Sequence, residues 1–403
     1  MAELIDLLED VEQIQPGVHF HNLIGQDRVK DVLSRAATTG RIAHAYLFLG
    51  EVGSGKEAAA LDFARILLCM SEGDRKGQRS AALPCGKCDS CVQTEKLTHP
   101  GFKVLFPQPK PQPPKEGQDG VDAVEQYTAA QRKQMDALMA AKADDYYTSL
   151  SVSGGNEILI EHIRALRSEF RLTSYSGGWR VVLISQADRL RVQAANAFLK
   201  LLEEPPANVV FILTSSRESR LLPTILSRCQ VLRFARIDQD TLRDELIARL
   251  KVKPDKADAA ARLADGSWKQ AVDWARGDPA KETMKVVELL RDLLRGDPGR
   301  LDELVDYWGA ASRSGDFAGM LERMAHWLRD VQTYDADPSS AKELARDEHL
   351  VKFATFTEGR NFEDALDAID EARLDIERHV QTTLIAYNLF STLRKVLFRP
   401  KGK

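Results

Sequence analysis

No apolar run in the 403-residue chain approaches the roughly 20 residues that a membrane-spanning helix needs, which argues against a helical membrane protein. An excess of either charge is missing too. Lys and Arg number 56 against 60 Asp and Glu, a formal net charge of −4. The surface as a whole is therefore not built to bind nucleic acid, although a local basic face stays open. Cysteine is scarce, with five in all. Four of them, Cys69, Cys85, Cys88 and Cys91, crowd together, and only Cys229 lies elsewhere. In a reducing compartment such a cluster reads as metal binding before it reads as disulfides. The first residues, MAELIDLLEDVEQIQPG, are acidic and lack a basic stretch followed by an apolar one. The expectation is a cytoplasmic protein with no secretory signal and no membrane partner. The hydrophobic fraction of 43% and charged fraction of 29% suit a globular chain rather than a disordered one. The length suggests two or three domains.

Periodicity divides the chain. A short acidic helix, a break at Pro16-Gly17 and a helix from about Gln26 to Thr39 come first. The apolar run Ala45–Leu49 then reads as a buried strand, and Glu57–Leu68 has helical spacing, with a Gly-rich loop between them. Further strands are expected at Phe102–Phe106, Arg180–Ser185, Val209–Ser215 and Gln230–Phe234, with helices at Glu161–Tyr175 and Val192–Glu204. Such alternation implies a mostly parallel sheet covered on both faces, in a module spanning 1–235. Residues 107–150 interrupt it. They open with five prolines within Pro107–Pro114 and continue in helix-forming composition over Val121–Tyr147. The segment reads as a surface insertion, either a spacer or a partner-binding element. Strands vanish from Asp238 onward. A small helical part is expected over 236–279 and an all-helical domain over 280–403, with no repeat of fixed period. Stripe residues such as Leu384, Leu389, Phe390, Leu393 and Leu397 belong either to an assembly surface or to a self-contained bundle.

The run Gly50-Glu51-Val52-Gly53-Ser54-Gly55-Lys56-Glu57 fits GxxxxGK between a strand and a helix. Gly50, Gly53 and Gly55 let backbone N–H groups converge on phosphate, and Lys56 adds a point charge. A chance Gly-rich turn is the bland alternative. The next position is wrong for an active enzyme. Ser or Thr would place a hydroxyl on Mg²⁺ there, whereas Glu57 brings a carboxylate that would sit close to the phosphates and repel them. The strand that should end in a metal-binding acidic pair, Val181–Ile184, ends in Ser185 and Gln186, and Asp188 comes two residues too late. Three such losses oppose efficient ATP hydrolysis. Cys85, Cys88 and Cys91 in CxxCxxC spacing, with Cys69 upstream, offer four thiolates to a structural zinc within a 69–100 module, with free or redox thiols as the alternative. His99 could replace one of these ligands but reads first as a surface histidine, and Cys229 reads as a small buried residue.

The run AANAFLKLLEEPPANVVFILTSS, then LLPTILSRCQVLRF, within Ala194–Phe234, resembles the replicative clamp-loader AAA+ family. So do Ile24–Gln26, His44–Gly50 and the cysteine cluster. The resemblance is closest to the delta-prime branch of bacterial DNA polymerase III, whose nucleotide site is degraded, and the Pro-rich insertion is foreign to the family pattern. It implies an α/β AAA+ P-loop module with a zinc-binding insertion, a small helical lid and an all-α collar domain. It also implies a hetero-oligomer with gamma/tau and delta subunits that opens the sliding clamp and places it on primed DNA. Ser227-Arg228-Cys229 matches a motif whose arginine reaches the ATP of the next subunit, so Arg228 would act in trans as an arginine finger. An ordinary surface salt bridge is the alternative role. The small-domain pattern Gly-Ser-x-Arg reads Gly266-Ser267-Trp268-Lys269 here, and Lys lacks the planar fork that grips γ-phosphate. ATP binding by the chain's own site is thus expected to be weak or absent. The reading is a non-hydrolysing clamp-loader subunit. The alternatives are an active gamma/tau-like ATPase, or a purely structural zinc-bearing adaptor.

Overall fold

The computed structural model describes residues 20–70, 84–110, 127–152, 155–172, 178–277, 279–294, 298–310, 314–337, 347–357, 362–377 and 380–398. The acidic N-terminal helix, the Pro16-Gly17 break and residues 111–126 of the Pro-rich segment lie outside them. Two compact units are present, Met1–Val272 and Asp273–Lys403.

In the first unit, α1 (Asp27–Thr39) precedes β1 (Ala45–Leu49), α2 (Lys56–Leu68), α3 (Asp89–Glu95) and β2 (Phe102–Leu105). Then follow α4 (Ala129–Asp144), α5 (Ile160–Leu172), β3 (Arg180–Ile184), α6 (Val192–Glu203), β4 (Val209–Ser215), α7 (Pro223–Leu226) and β5 (Gln230–Arg233). Three helices follow: α8 (Gln239–Leu250), α9 (Pro254–Leu263) and α10 (Trp268–Arg276), of which the residues from Asp273 on belong to the second unit. The five strands form one parallel sheet in the order β2-β3-β4-β1-β5. Every residue of β1 and β4 is buried, as uninterrupted apolar strands in a doubly covered sheet require. Phe198 of α6 meets Phe211 of β4 edge-to-face at 5.2 Å and seals one layer to the sheet. Because all strands run the same way, their C-terminal ends lie on one edge, where α/β sheets place ligands. The phosphate loop leaves β1 there, and Ser185 leaves β3 there, one strand apart.

The 107–150 segment departs from the surface insertion expected. Its helix α4 starts at a capping box, Thr128 with Gln131, and its end packs inward. Tyr146, Tyr147 and Leu150 are buried, and Lys142 keeps only 1% of its surface exposed. The inward part carries aromatic and aliphatic residues that the proline count conceals.

The second unit is helical throughout its described residues: α11 (Pro279–Leu294), α12 (Pro298–Gly309), α13 (Ser314–Ala336), α14 (Glu348–Thr357), α15 (Phe362–Glu377) and α16 (Thr382–Phe398). Helix α15 ends at Glu377 and α16 starts at Thr382. Leu389, Phe390, Leu393 and Leu397 all face the unit's own core, whereas Leu384 is 51% exposed. Most of that stripe is internal packing.

Candidate functional site

The phosphate loop is held from several sides. Lys56, at the start of α2, is buried and donates to the carbonyls of Gly50 and Glu51, each at 2.6 Å. Burial pulls its ammonium down to about 8, against the pull of Glu57, Glu51 and Asp188. Gly53 has a φ of +84°, and a Cβ there would lie 1.9 Å from the Ser267 hydroxyl. The Trp268 N–H donates to the Gly53 carbonyl at 3.1 Å, so the start of α10 sits directly on the loop. Gln26 bridges its far side: its amide donates to the carbonyls of Ser54 and Ala235, and its Oε1 accepts from the Ala235 N–H. Gly50, Gly53, Gly55 and Lys56 thus form one loop, as the spacing predicts. Lys269 follows Trp268 on α10 and is half-buried.

Glu57 behaves differently from the expectation. Its carboxylate does not project freely toward the phosphate position. One oxygen accepts from the Lys142 ammonium and the other from the Ser185 hydroxyl. The Lys142 side chain is 1% exposed and that of Glu57 18%. Lys142 also donates to the carbonyls of Tyr146 at 2.5 Å and Thr148 at 2.7 Å, so all three ammonium protons are used. A buried charge demands this degree of pairing. Gln186, at the second position where an acidic residue would be expected, donates its side-chain amide to the Leu150 carbonyl at 2.8 Å. Asp188 lies in a short 3-10 turn and accepts from the Ser215 hydroxyl at 2.8 Å. A divalent metal does not fit this arrangement, because a lysine ammonium already faces the carboxylate that could bind it.

Tyr147 completes the contact between the segment and the loop. Its phenol accepts from the buried Ile24 N–H at 3.0 Å and lies where a Cβ on Gly55 would meet it, also at 3.0 Å. Burial pushes the phenol well above its ordinary range, so it stays protonated. Its ring packs 6.1 Å from that of Trp268. Farther along, the Tyr127 hydroxyl donates to Gln108 at 3.0 Å and meets His162 Nε2 at 2.9 Å. His162 Nδ1 accepts from the Leu159 N–H at 3.1 Å. That leaves the ring proton of the neutral form on Nε2, and burial lowers the affinity of this ring for a second one. Lys142, Tyr147 and Tyr127 went unmarked in the sequence. Their partners lie 85, 123 and 35 residues away, and no local pattern records that.

Cys69, Cys85, Cys88 and Cys91 come together with all four sulfurs within 4.8 Å of one another. Cys69 follows the end of α2, and Cys88 caps α3 by accepting from the Cys91 N–H at 3.4 Å. The Cys69 thiol is pulled down to about 5, first by a hydrogen bond from Cys91 and also by the Cys85 N–H, while its donor Cys91 is pushed up. Four sulfurs gathered this closely suit a soft cation. His99 departs from the surface position expected. It is 4% exposed, its Nδ1 accepts from the Gly101 N–H at 3.0 Å, and its Nε2 faces Ser90 at 3.3 Å. It packs the zinc-type loop rather than joining the thiols. Cys229 is half-buried, and burial pushes its thiol up to about 12.

Arg228 follows α7 and precedes β5, the edge strand of the sheet. Its guanidinium pairs with Glu203 of α6 at 2.9 Å and donates to the Thr224 carbonyl at 3.0 Å. The pair is solvent-exposed on both sides, with 35% and 50% of the two side chains accessible. The salt-bridge alternative is therefore real in this structure. Exposed pairs are worth about 0–1 kcal/mol, so the pairing leaves the arginine available to a stronger anion.

The family model described as DNA polymerase III, delta subunit, matches residues 25–238, just over half of the chain. The chain belongs to that family. Among curated relatives, the DNA polymerase III subunit delta' of Bacillus subtilis (strain 168) is 30% identical over 66% of this chain and 64% of its own length. The subunit delta' of Pseudomonas aeruginosa (strain PAO1) is 33% identical over 46% of this chain and 42% of its own. The gamma/tau subunit of Mycobacterium bovis is 27% identical over 91% of this chain and 56% of its own. The chain thus matches less than two thirds of the length of these relatives. No described helix is long and apolar enough to cross a membrane.

Proposed function

We propose that the chain is a non-hydrolysing subunit of the replicative clamp loader. It works in the cytoplasm beside gamma/tau and delta subunits, and it helps to open the sliding clamp and place it on primed DNA. The observation that carries this reading is the state of Glu57, Ser185 and Gln186. All three positions where an ATPase organises its metal and its water are occupied by residues bonded to one another or to the 107–150 segment. The site's own nucleotide binding is then weak or absent, and the chain contributes to hydrolysis through Arg228 instead. Guanidinium is permanently charged, and its fork matches two phosphate oxygens. Arginine fingers supplied in trans are worth on the order of 10³–10⁵ in rate in GTPases.

Within this reading, residues 1–235 form the AAA+ module, 236–279 a lid and 280–403 a collar that joins the neighbours. Cys69, Cys85, Cys88 and Cys91 hold one structural zinc, which supplies a cross-link between the end of α2 and the 85–91 loop when bound. The long alignment with gamma/tau favours a second reading, an active ATPase of that kind. ATP turnover by the lone chain that disappears in Lys56→Ala would establish the second reading and sink the first. Arg228→Ala in the reconstituted complex tests the finger. Assembly survives, while clamp- and DNA-stimulated hydrolysis falls. Unchanged hydrolysis would leave the Arg228–Glu203 pair as its whole role and favour a structural adaptor.

A further inference from the structure

We propose that Lys142 is the resident cation of the phosphate-loop site: an ammonium, delivered by the 127–150 segment, that stands in for a divalent metal and bars one from binding. This rests on the proposed function, in which the bonded segment leaves hydrolysis lost, and deepens it by naming the segment's ammonium as the group that takes the metal's place.

The argument rests on which groups the segment touches. The metal of a phosphate-loop enzyme is organised by the residue after the loop lysine and by the acidic end of a neighbouring strand. Here those positions are Glu57, Ser185 and Gln186. Lys142 holds Glu57, Glu57 holds Ser185, and Leu150 of the same segment holds Gln186. The segment therefore reaches Glu57 and Gln186 directly, and Ser185 through Glu57. Without Lys142 the carboxylate at 57 would be a partly buried anion hydrogen-bonded, among the described residues, to the Ser185 hydroxyl alone, with its neighbour Lys56 already bonded to the carbonyls of Gly50 and Glu51, which is costly. The ammonium neutralises it, as a metal ion would. Lys142 is also fixed. Two backbone carbonyls of its own segment hold its remaining protons, and the Tyr147 phenol anchors the turn to the Ile24 N–H. A divalent cation would have to evict a 1%-exposed ammonium from three acceptors, or bind beside it against like-charge repulsion. The rival account is a salt bridge that ties a loop down and has no bearing on metals.

Mn²⁺ binding separates the two. Mn²⁺ is titrated into the full chain and the free ion is read by electron paramagnetic resonance, with Lys142→Gln and Lys142→Gln/Glu57→Gln in parallel. The natural chain is expected to bind no more Mn²⁺ than the double variant. Lys142→Gln, with its carboxylate exposed to the ion, is expected to bind at least about tenfold more tightly. Equal Mn²⁺ binding by the natural chain and a folded Lys142→Gln overturns the proposal. A second measurement needs no variant, and so stands if Lys142→Gln does not fold. ADP is titrated into the natural chain by calorimetry with and without Mg²⁺. ADP affinities within about twofold support a site that recruits no metal, whereas a tightening of about tenfold or more with Mg²⁺, or binding seen only with Mg²⁺, overturns it. The Arg228→Ala experiment reads a neighbour's hydrolysis and does not involve this site, so the two readings fail separately.

Discussion

Replacing Lys142 by Met tests the energetic core of the first unit. The perturbation removes a charge that is 1% exposed and leaves Glu57, 18% exposed, without its counter-ion. Breaking a buried ion pair by deleting one partner costs about 3–5 kcal/mol, chiefly because the other charge is stranded. The residual exposure of Glu57 lets water recover part of that, which places the expectation at the low end, about 3 kcal/mol. The carbonyls of Tyr146 and Thr148 also lose a donor, but each retains the capacity to bond water. With a urea slope of about 3 kcal/mol/M, fitting for a large unit, the midpoint falls by about 1 M. Because the chain has two units, the assay must report on the first alone: hydrogen exchange of peptides from β1, α2 and β3 across a urea series. The sign of coupling is the sharper criterion. Lys142→Met/Glu57→Gln removes both charges and should recover at least about half of the loss, a coupling near 2 kcal/mol. Additive single effects, or a Lys142→Met cost below about 0.5 kcal/mol, would refute the reasoning, since they would mean the pair is solvated in solution.

Freshly purified reduced protein should contain about one zinc per chain, and Cys91→Ser should lose most of it and loosen the 85–91 loop to proteolysis; metal analysis well below one equivalent in the natural chain would count against the site. Acid should destabilise the first unit through His162, which burial keeps neutral. The folded ring binds its proton less readily than the unfolded one, so this stability is complete above the unfolded value near 6.5 and is lost as pH falls below it, by up to about 1.4 kcal/mol per pH unit. In His162→Gln the slope between pH 6.5 and 5 should flatten, and an unchanged slope would assign the acid sensitivity elsewhere. Gly53→Ala should cost about 2 kcal/mol or more, since the Cβ meets Ser267 1.9 Å away in left-handed backbone, and Ser267→Gly should relieve the contact part of the cost but not the backbone part. Thermal melts of the two variants and their combination check this.

The parts legible in the sequence were those written in short spans. The strand, loop and helix around Gly50–Lys56 lie within 24 consecutive residues, Ala45–Leu68, and their apolar runs and glycines announce them locally. The CxxCxxC spacing does the same for the cysteine cluster. What escaped was written across long separations. Nothing near Lys142 marks it as buried, because its burial is licensed by Glu57, 85 residues earlier. The segment's prolines signalled exposure, while Tyr146, Tyr147 and Leu150, which decide where it goes, occupy too few positions to show a period. His99 was misplaced for a similar reason: a lone histidine carries no sign of its burial until Ser90 and Gly101 close around it. In the second unit the apolar stripe of α16 was visible, but which of its residues face inward depends on α12 and α15 packing against it. That left Leu384 exposed and its neighbours buried.

Glu57 and Lys142 also bear on whether the lost site can be restored. Each is tolerable only in the presence of the other. Glu57→Thr would supply the hydroxyl that a magnesium site needs, but it would leave Lys142 buried with two carbonyls and no anion. Ser185→Asp and Gln186→Glu would return anionic charge, yet the first of these would draw on Lys142 before any metal. Gln186→Glu would also break the bond to Leu150 that holds the segment's end. Partial reversal therefore passes through proteins less stable than either end point, because a half-paired buried charge is worse than a full pair or none. A metal-binding loop would require removing the ammonium as well as restoring the ligands. On this account the inserted segment and the degraded phosphate loop form one unit of structure. Through Lys142, near its C-terminal end, the helix from Ala129 to Asp144 brings a cation to Glu57.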